Sequence, residues 1–164
     1  MALAKKGFIM PTLRTLGEAL YVKPVSSFTF NEERMGECKL ITDDDFGTRF
    51  LNKKELPSPE TFLQLYYLDR KTLIDEVKFI LQTKFLTSTA QLHRLLSKYI
   101  PDQECWLPMR SDEISINLFM ADKKNITTPV EVFHWSGENM WNATFPKTDS
   151  FIAGAVIIAQ AGAL

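Results

Sequence analysis

The sequence predicts an α+β fold: an antiparallel sheet made from two blocks of strands, packed against a central block of two or three helices. Three observations predict it. Residues 58–99 place apolar side chains at three- and four-residue steps, with no glycine or proline from 60 to 99. Short runs rich in β-branched and aromatic residues flank this stretch at 25–51 and 114–145. The order strands, helices, strands is not the alternation that builds βαβ units.

Taken in order, residues 1–10 read as an N-terminal arm. In 12–22, Leu13, Leu16, Leu20 and Tyr21 fall on a helical stripe after Pro11, so a short helix is expected there despite Gly17. Three strands come next, at 25–30, 37–42 and 46–51. Residues 31–36 read as the turn between the first two, and Asp44-Asp45-Phe46-Gly47 as a tight turn before the third. A polar linker, 52–57, leads into the helices.

Ser58 is placed to cap a helix, Pro59 to occupy its first position and Glu60 to face the positive end of the dipole. Phe62, Leu65, Tyr66, Leu73, Val77, Ile80 and Leu81 form its buried stripe, either in one long helix or with a break at Asp69. Ser88 and Gln91 have capping-box spacing, and Leu92, Leu95, Leu96 and Tyr99 continue the apolar face as far as Pro101. Leu73, Val77, Ile80 and Leu95 are expected in the core. Beyond Pro101 come strands at 114–120, 129–135 and 139–145. In the first, Ile114, Ile116, Leu118 and Met120 alternate with Ser115, Asn117 and Phe119.

At 164 residues the chain reads as one domain, long enough to bury a core without disulfide or metal. The 45% apolar and 24% charged fractions exclude a disordered chain, and a net charge of −1 argues against a dominant phosphate-binding role. Cys38 and Cys105 read as free thiols of a reducing compartment. No apolar stretch has the length of a signal core or a bilayer span. A cytoplasmic or particle-assembled location is expected. Asn125-Ile126-Thr127 and Asn142-Ala143-Thr144 match the glycosylation sequon and mean little without a signal peptide.

The chemistry-bearing residues form no signature. Cys38, Cys105, His93 and His134 stand at no ligand-pair spacing, so no metal is expected. Asp43, Asp44 and Asp45 lack the glycine and glutamate positions of a calcium loop. His134 and Ser136 share a strand face, and Arg110 is the one cation near Cys105, but neither pairing is specific. Lys5-Lys6, Lys53-Lys54 and Lys123-Lys124 are scattered, which is no strong nucleic-acid signal. No cofactor and no catalytic residue are expected.

The segment 151–164, FIAGAVIIAQAGAL, carries no charge and one polar side chain, Gln160. Val156, Ile157 and Ile158 favour a strand and the alanines a helix, as core or as a contact surface. The interface reading places Ile152, Val156 and Ile158 against a neighbouring subunit. The function expected is therefore that of a non-catalytic structural or assembly subunit, self-associating or seated in a larger complex such as a viral or phage particle. The alternatives are a small inhibitor or binding module for one protein partner, or an enzyme without a readable motif.

Overall fold

The computed structural model describes residues 13–98, 113–135 and 140–162. The fold is mixed α/β: a large mixed sheet with helices on both of its faces. The sheet is not purely antiparallel, and no helical block lies at the centre of the chain's organisation.

Seven strands form the sheet in the order β1 (Leu13–Val22), β5 (Thr61–Leu68), β11 (Val156–Gln160), β7 (Glu113–Ala121), β8 (Thr127–Trp135), β9 (Trp141–Thr144) and β3 (Leu40–Thr42). The β11–β7 and β9–β3 pairs are parallel and the others antiparallel. Two short ladders stand apart. One joins β2 (Phe28–Phe30) to β4 (Lys53–Glu55), the other β6 (Thr72–Leu73) to β10 (Ser150–Phe151). Among the described residues there are four α-helices: α1 (Glu32–Glu37), α2 (Asp44–Phe50), α3 (Ile74–Leu81) and α4 (Thr89–Lys98).

Several expected elements change type, each for a local reason. The run Thr61–Leu68 is a strand, not the start of a helix. It lies between β1 and β11, buries side chains on both faces and so loses the alternation that marks a half-buried strand. Ser58 caps nothing there; its backbone pairs with Val25 in both directions. The 12–22 stretch is also a strand. Its register shifts between Leu16 and Leu20, where Gly17 adopts φ 72° and the Gln64 amide donates to the Leu16 and Gly17 carbonyls. Leu13 belongs to the opposite face from Leu16 and Leu20, which is how a strand came to imitate a helical stripe.

The acidic run 43–45 starts a helix rather than a turn before a strand. The Asp43 carboxylate accepts from the Phe46 amide at 2.8 Å, and Asp44 and Asp45 sit in the first turn of α2. Asn31 caps α1 in the same way, so 31–36 is largely helix, and the strand expected from 37 begins only at Leu40. The Ser88–Gln91 box forms as expected: the Ser88 amide donates to Gln91 Oε1 and the Gln91 amide to Ser88 Oγ. Glu55 then accepts from the Thr89 and Ala90 amides at the positive end of α4.

Two cores result, one on each face of the sheet. On the first face Leu63, Leu65, Ile116, Leu118, Val130 and Val132 pack against helices α1, α2 and α4 and the β2–β4 ladder. On the second, Tyr66, Leu68, Phe119, Ile157 and Ala159 pack against α3. Val77 and Leu95 are buried as expected, Ile80 is half-buried, and Leu73, preceding α3, is 46% exposed. Among the described residues, no helix is long and apolar enough to cross a membrane.

Candidate functional site

The second face is only half covered. Helix α3, with Phe85 and Phe151, covers β5, β11 and the Phe119 end of β7, but the part built from the start of β7 with β8, β9 and β3 carries two open grooves. Alternation along each strand decides what faces outward there. Ile116, Leu118, Val130, Val132, Trp141 and Ala143 point into the first core, so Ser115, Asn117, Glu131, Phe133, Asn142 and Thr144 point the other way. The register sets them in two rows. One runs Ser115, Phe133, Asn142, Ile41; the other runs Asn117, Glu131, Thr144.

Local bonds fix this surface. Ser115 Oγ donates to Glu131 Oε2 at 2.6 Å, a diagonal cross-strand pair. Asn117 Nδ2 donates to the Val156 carbonyl at 3.1 Å, which ties the parallel β11–β7 junction. Thr144 Oγ1 donates to Asp43 Oδ2 at 2.8 Å, so the capping carboxylate of α2 also anchors β9.

After β9 the chain returns across this face through 146–155 and divides the open area into two grooves. The first, about 590 Å³, runs beside β3 and β9 and is lined by Ile41, Asn142 and Phe133. The second, about 430 Å³, lies towards β7 and β11 and is lined by Ser115, Asn117 and Ile152. Glu131 and Lys147 line both, and so stand at their junction. Lys147 is exposed, and it forms no ion pair among the described residues.

The residues singled out from sequence are dispersed. Ile152 is 74% exposed on a groove wall. Val156 also lines that groove, where its carbonyl receives Asn117, while its side chain is buried in the first core. Ile158 is buried in that core as well. The apolar C-terminal stretch thus supplies an internal strand, β11, hydrogen-bonded on both edges, and the three residues do not make one patch. Cys105, Arg110 and Ser136 lie outside the described residues.

His93 is buried in α4, its ring 5.2 Å from that of Phe28, with Nε2 3.0 Å from Glu37 Oε1. Burial holds its pKa below the ordinary histidine value, against the pull of Glu37. His134 is buried in β8, its ring edge-on to Trp141 at 5.1 Å. Cys38 is a free thiol whose pKa burial pushes up to about 12, the character of an inert core cysteine. Among the described residues, no three His, Cys, Asp or Glu side chains converge as metal ligands would.

The grooves therefore offer hydroxyls, amides, two acids, one base and exposed aliphatic side chains on a sheet surface. Of these hydroxyls, Ser115 and Thr144 are committed as donors to carboxylates and Thr148 to the Ser150 carbonyl. Comparison with known proteins finds no matching family model, no matching curated protein and no matching solved structure.

Proposed function

We propose that this chain is a non-catalytic structural subunit that assembles with protein partners through the open half of its sheet. The observation that carries the reading is the placement of Ile41, 48% exposed, and Ile152, 74% exposed, among the residues lining two adjoining grooves. Exposed aliphatic side chains around a polar centre are what a contact face presents before its partner arrives. The support is the surface's shape and chemistry. A groove this open encloses little of a small ligand, whereas a second protein surface can cover it along its length.

Sedimentation equilibrium of the purified chain over a wide concentration range tests the reading. A mass above the 18.8 kDa of one chain is expected. Replacing Ile41 and Ile152 together with Asp should return the mass to that of one chain while the far-UV circular dichroism stays native. A wild-type chain that remains monomeric throughout would overturn assembly by self-association. An Ile41→Asp/Ile152→Asp variant that assembles normally would move the contact face elsewhere.

A further inference from the structure

Resting on the assembly reading, we infer that the partner is a second copy of this chain, docked face to face about a two-fold axis so that Glu131 of each copy meets Lys147 of the other. In a two-fold contact the same patch serves both sides: where residue i meets residue j, residue j also meets residue i. Such a patch must be complementary to itself, and this one is. Its central acid and base line the same two grooves, yet they form no ion pair with each other within the chain. Glu131 Oε2 is engaged by Ser115, and its second oxygen receives no bond from the described residues. Lys147 is exposed on the segment that crosses over the sheet.

A surface of one charge sign would call for a different protein of opposite sign. A balanced acid and base at the junction need only a rotated copy. Two-fold docking doubles the ion pair and sets the exposed aliphatic side chains Ile41 and Ile152 beside the partner's polar rows. The first groove holds a second acid, Asp43, which keeps its charge while accepting from Thr144 and the Phe46 amide; it lines that groove alone and so stands away from the junction, where Glu131 and Lys147 are the charged pair.

Charge reversal tests the pairing. Sedimentation equilibrium is run on the wild type, Glu131→Lys, Lys147→Glu and the double variant, with circular dichroism and thermal melts as controls for folding. The expected wild type is a dimer whose association weakens as salt is raised. Each single reversal should weaken association at least tenfold, and the double reversal should restore it to within about threefold, because it rebuilds both cross-pairs with signs exchanged. Since Glu131 is partly buried beside Ser115, Lys147→Glu, at an exposed position, carries the test if Glu131→Lys fails to fold. In that case, unchanged dimerisation of Lys147→Glu overturns the pairing.

The outcomes separate the two claims. A dimer indifferent to the reversals, or a double variant that is not restored, overturns the reciprocal pairing and leaves the assembly reading standing. Mass growing past two copies overturns the two-fold in favour of an open-ended contact. A monomeric wild type overturns the pairing together with self-association, and would leave the assembly reading only with a different protein as partner.

Discussion

The two faces of one sheet are finished in opposite ways. Over the first face lie helices α1, α2 and α4, and α2 joins Phe30 of β2 and Phe145 in an aromatic cluster. The Phe46 ring stacks on Phe50 at 4.7 Å, meets Phe30 edge-on at 6.3 Å and approaches Phe145 at 5.7 Å, while the Arg49 guanidinium sits 4.9 Å above Phe145. Over the second face, one short helix covers β5 and β11 and stops. Beyond Phe119, the rest of that face carries side-chain hydrogen bonds and two grooves open to water. The difference teaches that this domain draws its stability mainly from one side of the sheet, which leaves the far half of the other side free to serve a different purpose.

The sharpest way to break that comparison is to cut a large side chain from each face. Phe50 is fully buried in the first core, and Phe50→Ala should cost about 3–5 kcal/mol by urea unfolding. Ile80, half-buried at the edge of the second core, should cost about 2 kcal/mol as Ile80→Ala, at the low end for such a truncation. Equal costs would mean that the two cores contribute alike.

These faces were partly legible in the sequence. The alternation of Ile116, Leu118 and Met120 with Ser115 and Asn117 identified both a strand and its polar side, because β7 really is covered on one face there. The capping box at Ser88 was legible because it is a local interaction that needs no partner from elsewhere. Thr61–Leu68 was not, because burial on both faces erases periodicity, and the sheet that buries it comes from 13–22 and 156–160. Asp43 was ambiguous, since a capping carboxylate and a turn carboxylate look alike until the backbone beyond is known. The junction of Glu131 with Lys147 was out of reach. It depends on β9 pairing with β8 and on the path of 146–155 over the face.

The next largest effect concerns the clamp between α2 and the β7–β8 turn, which secures the helical side. Asp122 Oδ2 accepts from Arg49 Nε at 2.9 Å and Nη2 at 2.8 Å, while Oδ1 accepts from the Lys124 and Ile126 amides. Burial works to raise this carboxyl's pKa, but the Ile126 amide, Arg49 and the Lys124 amide together hold it below the ordinary value. A carboxyl lowered on folding stabilises above its unfolded value of about 4 and loses that contribution as pH falls through the folded value. Asp122→Ala should cost about 2–3 kcal/mol at neutral pH, because it strands two amides and a guanidinium. It should also flatten the acid limb of a stability–pH curve. An unchanged acid limb would place the acid sensitivity in another carboxylate.

His93 gives the same side a second pH dependence at higher pH. Its pKa is lowered on folding, so below about 6.5 the unfolded chain binds more protons than the native one. Its contribution is complete above that value and declines as the pH falls towards the folded pKa. The charged groups around the ring are Glu37, Arg34 and Arg94. His93→Gln should remove this part of the profile, read as a melting temperature that no longer falls between neutral and mildly acidic pH. A profile identical to wild type would mean that the imidazole charges without penalty.

On the second face, α3 ends at Gln82 with φ 56° and ψ −128°, a region natural to glycine. Strain of this kind costs on the order of 1 kcal/mol or more, so Gln82→Gly should raise stability by about that amount, less the added freedom of the unfolded chain. A destabilised variant would show that the Gln82 side chain contributes more than its backbone costs.

The smallest effect is predicted where the comparison is most exposed to failure, on the open half of the second face. Ile41 lies on the edge strand β3, in a row with Asn142 and Phe133, and reaches neither core. In the isolated chain, Ile41→Ser removes a side chain that already contacts water, so stability should change by no more than about 0.5 kcal/mol. Urea unfolding at low protein concentration measures this. A loss well above that size would show that the face is packed within the chain and is no free surface. Repeating the measurement at high concentration sharpens the point. If copies assemble through this face, the wild type gains apparent stability by mass action as its concentration rises, because the contact binds the folded state alone. The Ile41→Ser chain, with a weakened contact, should gain less. Two unfolding curves that coincide when dilute and part when concentrated would assign Ile41 to the partner and not to the fold.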